Sequence, residues 1–87
     1  MNPIGEMILN DSYRLLELLY NNQVNILNET FCPLTQEEMA KELGVTRVTI
    51  NTNLKKLKEI GLIENYKNKK YKLTQKGSKC VKIIKKL

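Results

Sequence analysis

Between Leu34 and Leu57 the chain reads LTQEEMAKELGVTRVTINTNLKKL, a pattern that few folds accommodate. Thr35, followed three residues later by Glu38, forms a capping box, in which each side chain satisfies a backbone N–H that a helix start leaves without a partner. Met39, Ala40 and Leu43 then share one helical face. Gly44 follows, the residue best able to take the left-handed backbone with which a helix ends and turns. Thr46 can cap a second helix, whose Ile50, Leu54 and Leu57 recur at i, i+4 and i+7. The small Ala40 lets that helix approach the first closely. A capped short helix, a glycine turn and a longer helix with a polar outer face make a helix-turn-helix.

The flanking segments complete a small mainly helical fold. Residues 1–10, MNPIGEMILN, hold Pro3 and Gly5 and no sustained period, which suits an irregular arm with Ile4, Met7, Ile8 and Leu9 available to pack. Asp11 or Ser12 can cap a first helix carrying Leu15, Leu16, Leu18, Leu19 and Tyr20, an apolar face wide enough for burial on two sides. Val24 and Leu27 would continue its stripe past Asn21-Asn22, so its end falls between residues 21 and 28. Residues 28–34 connect it to the motif, with room for a short strand, and Phe31 is expected as a core plug. After Gly61, LIENYK and KYKLT read as two strands joined at Asn68-Lys69. A two-residue loop there would set Tyr66 opposite Tyr71 and Asn65 opposite Lys72. Thr74 caps a last helix, 75–86, with Cys80, Val81, Ile84 and Leu87 on its apolar side, and a close contact accounts for Gly77 in its first turn.

Charge separates the chain into two halves. Residues 1–43 carry two basic and seven acidic side chains, and residues 44–87 carry thirteen basic and two acidic ones, balances of −5 and +11. The basic half begins with the second motif helix, the footprint expected of a protein that meets a polyanion, most often nucleic acid. Enzymatic and metal readings find little support. The chain has no histidine, its cysteines Cys32 and Cys80 stand far apart, and no nucleophile–base or phosphate-loop motif is present. Glu37-Glu38 is explained by the helix dipole at the start of the motif. No cofactor or metal is expected. The 87 residues suit one small domain without a membrane span, with the cytoplasm as default location and dimerisation as a plausible aid to a small core.

In a helix-turn-helix the second helix enters the major groove, and its first turns meet base edges. Those turns offer Arg47, Val48, Asn51 and Thr52 as base readers. Arg47 can bond guanine O6 and N7 together, Val48 or the Thr52 methyl can meet a thymine methyl, and Asn51 can read adenine or hold a phosphate. Thr35, Thr46, Thr49 and Lys55, with Lys67, Lys69 and Lys70 on the hairpin, are candidate contacts to the DNA backbone, which give affinity without sequence information.

The order helix, helix-turn-helix, Gly-Leu-Ile, basic hairpin, LTxxG and closing helix resembles the winged helix-turn-helix regulators of bacteria and archaea. Residues 34–64 resemble the DNA-binding domain of the Crp/Fnr class, with its pattern LTQEELA…LGVSRxTVxRxLxxLxxxGLI, and the tail GLIENYKNKKYKLTQKG is similar to the wing of MarR-, ArsR- and PadR-like regulators. The resemblance implies that Arg47 reads guanine and Thr49 contacts phosphate. Val48 and Thr52 stand where the Crp class often has charged base readers, which implies a different operator, and Asn53 replaces a usually small or apolar residue. No cyclic-nucleotide-binding domain precedes the motif, so a regulator without a sensor domain is expected.

The expected architecture is therefore a winged helix-turn-helix: a three-helix core, a two-stranded wing and a C-terminal helix. Its parts are an arm at 1–10, the helix-turn-helix at 35–60, the wing at 62–74 and the last helix at 75–87. The expected function is sequence-specific binding of double-stranded DNA as a homodimer, formed through the arm, first helix and last helix. A winged-helix protein-interaction module, or a DNA- or RNA-binding part of replication machinery, is the alternative.

Overall fold

The computed structural model describes residues 10–86, so the expectations for the N-terminal arm and for Leu87 lie outside the described residues. Helix α1 spans Asp11–Asn21, and its cap is Asn10 rather than Asp11 or Ser12. The Asn10 side chain accepts the Tyr13 N–H at 2.8 Å. Asn22 ends the helix twice over, since its backbone N–H and its side-chain amide both donate to the Leu18 carbonyl, at 3.1 and 2.8 Å.

The apolar stripe does not run on from there. Val24–Ile26 (β1) and Glu29–Phe31 (β2) form an antiparallel hairpin, turned by Leu27 and Asn28 at positive φ. Leu27 is 91% exposed at its tip. Phe31 is not the expected core plug. It is half-buried and stacks on Tyr66, ring centroids 4.5 Å apart.

The motif forms as its residues dictate. Helix α2 covers Gln36–Leu43 with the complete Thr35/Glu38 capping box, and Gly44 takes φ +67° at its end. Helix α3 covers Arg47–Glu59, with the Thr46 hydroxyl accepting the Thr49 N–H. Strands β3 (Ile63–Tyr66) and β4 (Lys70–Leu73) make the wing. Helix α4, Gln75–Lys85, is capped by Thr74. Gly77 is required by close approach, because a Cβ there would lie 2.0 Å from the Leu62 carbonyl oxygen.

The wing register differs by one residue from the expected pairing. Tyr66 lies opposite Lys70 and Asn65 opposite Tyr71, so the connection is Lys67–Lys69. The core decides this. The observed register sets buried Ile63 against buried Leu73 and leaves Glu64 to pair with Lys72 on the outer face, their charged atoms 3.3 Å apart. The expected register would have placed Glu64 opposite Leu73, joining a charge to the buried row. The Cys32 N–H donates to the Tyr71 carbonyl at 2.8 Å, which joins the segment after β2 to the wing.

Leu15, Leu16, Leu19, Met39, Ile50, Leu54, Leu57 and Val81 are buried together and bring α1, α2, α3 and α4 onto one core. Leu18 and Tyr20 pack at its edge, so much of the broad apolar face of α1 is used within the chain. Cys32 is buried and Cys80 half-buried, both as free thiols, and burial pushes both thiols above their ordinary range.

Candidate nucleic-acid interface

Exposed side chains of α3 face two different clefts. Arg47 and Asn51 line one, of about 550 Å³, whose other walls are Thr35, Gln36 and Glu37 at the start of α2 and Asn68, Lys69 and Lys70 at the wing tip. Val48, Thr49 and Thr52 line the opposite cleft, of about 670 Å³, against Asn10, Asp11, Ser12 and Tyr13 of α1. The four expected base readers are all exposed, yet only Arg47 and Asn51 stand beside the wing. Val48 is 75% exposed.

The threonines have local work. Thr46 Oγ1 accepts the Thr49 N–H and donates to Thr49 Oγ1, both at 3.1 Å, and Thr52 Oγ1 donates to the Val48 carbonyl at 3.0 Å. Thr35 Oγ1 accepts the Glu38 N–H at 3.1 Å, while the Glu38 carboxylate accepts the Thr35 N–H at 2.9 Å. Those bonds from Thr35 hold the Glu38 carboxyl below its ordinary range.

The wing lysines are not equivalent either. Lys70 is half-buried, and its ammonium donates to the Pro33 carbonyl at 3.2 Å, so it braces the wing as well as bordering the cleft. Lys67 is exposed and sits 5.9 Å from the Tyr66 ring centroid, with Lys72 at 5.9 Å from the same ring. Lys69 is exposed at the cleft mouth, and Lys55 is exposed on α3 away from both clefts. The Glu29 carboxylate accepts a hydrogen bond from the Tyr66 hydroxyl and raises that phenol above its ordinary range.

Three cleft residues were not among the expected contacts. Asn68 could have been found from its place in the Asn-Lys turn, whereas Gln36 and Glu37 reach the cleft only through the approach of α2 to the wing. Gln36 also donates to the Tyr71 hydroxyl at 3.2 Å. Asn53, the unusual residue late in the motif, is buried and bonded through both amide atoms: it accepts from Ser12 Oγ at 2.6 Å and donates to the Thr49 carbonyl at 2.9 Å. Among the described residues, no cluster of His, Cys, Asp and Glu is placed to hold a metal ion, and no helix is long and apolar enough to cross a membrane.

This arrangement, a half-exposed α3 with a basic wing at its side, coincides with a known family over residues 13–76, the Crp-like helix-turn-helix domain. The chain belongs to that family. Past the matched residues the chain adds a closing helix, and the whole chain is similar in structure to MepR, seen in a point mutant from a multidrug-resistant S. aureus clinical isolate. The two share 26% identity and a TM-score of 0.69 over the whole of this chain and 63% of the other, so the chain spans less than two thirds of the length of that structure. No curated protein sequence matches the chain. Family and fold together identify a winged helix-turn-helix DNA-binding domain of the transcription-regulator type.

Proposed function

We infer that the chain binds double-stranded DNA sequence-specifically, as a regulator of transcription in a prokaryote, phage or mobile element. The observation that carries this reading is the cleft in which Arg47 and Asn51 of the exposed helix meet Lys69 and Lys70 of the wing. In the proposed complex α3 lies in the major groove, Arg47 takes guanine, Asn51 adenine or a phosphate, and Val48 and Thr52 meet thymine methyls. Thr35, Thr46, Thr49, Lys55, Lys67, Lys69 and Lys70 form its backbone contacts, with Lys70 constrained by its bond to Pro33. A cytoplasmic homodimer on a two-fold site is the preferred form, through the N-terminal arm, α1 and α4. One module covers only about 600–1,000 Å² of DNA-facing surface, and two half-sites about 10 bp apart raise affinity and selectivity together.

Selection of bound duplexes from a random pool tests this. A recovered consensus, arranged as an inverted repeat for a dimer, is expected, with log K falling against log salt by about 0.9 per phosphate contacted. Absence of duplex binding at about 50 mM salt would contradict it. One observation favours a second reading as a protein-interaction module. The β1–β2 hairpin exposes Ile26 at 55% and Leu27 at 91%, whereas the apolar face of α1 packs largely inside the chain.

A further inference from the structure

Asn53 is the one polar residue buried in the core among the described residues, and its bonds form a series. Ser12 Oγ, in the first turn of α1, donates to Asn53 Oδ1 at 2.6 Å. Asn53 Nδ2 donates to the Thr49 carbonyl at 2.9 Å, and the Thr49 N–H donates to the capping hydroxyl of Thr46 at 3.1 Å. The series thus runs from the start of α1 to the residue just before Arg47. Its neighbours on the inner stripe of α3, Ile50, Leu54 and Leu57, make only apolar contacts in the core.

Apolar packing and hydrogen bonding constrain a helix differently. Dispersion contacts between aliphatic side chains are not directional, so they hold a helix only loosely against turning about its own axis. A side-chain tip about 5–6 Å from a helix axis moves by about 2 Å when the helix turns through about 20°. That displacement separates a hydrogen bond from its partner, whether the partner is Ser12 or a base edge. Leu, Ile and Val cores do not need an amide at this position. A buried polar pair contributes little net stability and can instead select one arrangement among several of similar energy.

We propose that Ser12 and Asn53 form a clamp that sets the rotation of the reading helix, making them positioning residues for sequence discrimination by Arg47 and Asn51. The inference rests on the DNA-reading function proposed above. The clamp directs Arg47 and Asn51 to the wing cleft and holds Val48 and Thr52 to the α1 side, a division that the apolar stripe alone leaves loose.

The test separates stability from discrimination. Asn53→Leu keeps the side-chain size and leaves the Ser12 hydroxyl at the edge of an open cleft, where water reaches it. Its unfolding midpoint is expected to match or exceed that of the unaltered chain. Its preference for the selected duplex over random duplex is expected to fall about tenfold, with the salt slope on random duplex unchanged. Ser12→Ala should lose preference in the same direction, Ser12→Thr should retain it, and Ser12→Ala with Asn53→Leu should be no worse than Asn53→Leu alone. Undiminished preference in a folded Asn53→Leu, or in Ser12→Ala should Asn53→Leu fail to fold, would overturn the clamp. An unaltered chain without any preferred duplex would instead overturn the DNA-reading function, and the clamp with it.

Discussion

The molecule carries two hairpins side by side, each turned by consecutive residues of positive φ, and only one of them is basic. Leu27 and Asn28 turn β1–β2, and Asn68 and Lys69 turn the wing. The wing bears Lys67, Lys69, Lys70 and Lys72, whereas β1–β2 has Glu29 as its one charged residue. The two are joined by the Phe31–Tyr66 stack, by the bond from Tyr66 to Glu29 and by the bridge from Cys32 to Tyr71. Backbone geometry alone does not make a wing. Lysines beside the α3 cleft distinguish it, and the weakly acidic β1–β2 hairpin packs against its flank.

The largest effect on this comparison should come from Phe31→Ala, which removes the stack between the hairpins. A loss of about 1–3 kcal/mol in unfolding free energy is expected, below that of a fully buried Phe because Phe31 is half-buried. Amide exchange should quicken across Val24–Phe31 before it does in α3. Equal quickening everywhere would show that the two hairpins are not separable parts.

Next in size is the charge contrast. Lys67→Ala with Lys69→Ala should flatten the dependence of log K on log salt by about 1.8 and weaken every duplex alike, while Glu29→Gln leaves that slope unchanged. A loss confined to one sequence would make the wing a reader rather than an anchor. The smallest effect concerns the turns. Leu27 adopts φ +53° with no burial to compensate, so Leu27→Asn should raise stability by up to about 1 kcal/mol. Asn68→Leu, the reverse change at the wing turn, should lower it by a similar amount. Chemical denaturation measures both.

The same contrast shows what could be read from the chain before folding. The wing, the two motif helices and their caps were legible because each is announced locally: Thr35 with Glu38, Gly44, Thr46, Asn68-Lys69 and Thr74 act on their own neighbours. The β1–β2 hairpin was hidden because Val24 and Leu27 fall in phase with the stripe of α1, and Asn22, which stops that stripe, acts through a side-chain bond to Leu18. The wing register was missed by one residue because burial of Ile63 against Leu73 outweighs the preference for a two-residue loop. In the candidate interface, the exposure of Arg47, Val48, Asn51 and Thr52 followed from helical spacing. Their division between two clefts did not, since it depends on where α1, α2 and the wing close around α3. The buried role of Asn53 was equally out of reach, because Ser12 lies 41 residues away in the chain.

In the proposed complex the exposed face of α3 reads sequence and the wing anchors that helix on the duplex. Arg47→Ala, measured on a selected duplex and on random duplex at one salt concentration, tests it most directly. A loss of about 1–3 kcal/mol, roughly 5- to 150-fold, is expected on the selected duplex, with relaxed preference at one base pair and little change on random duplex. An equal loss on both, or an unchanged preference, would contradict it.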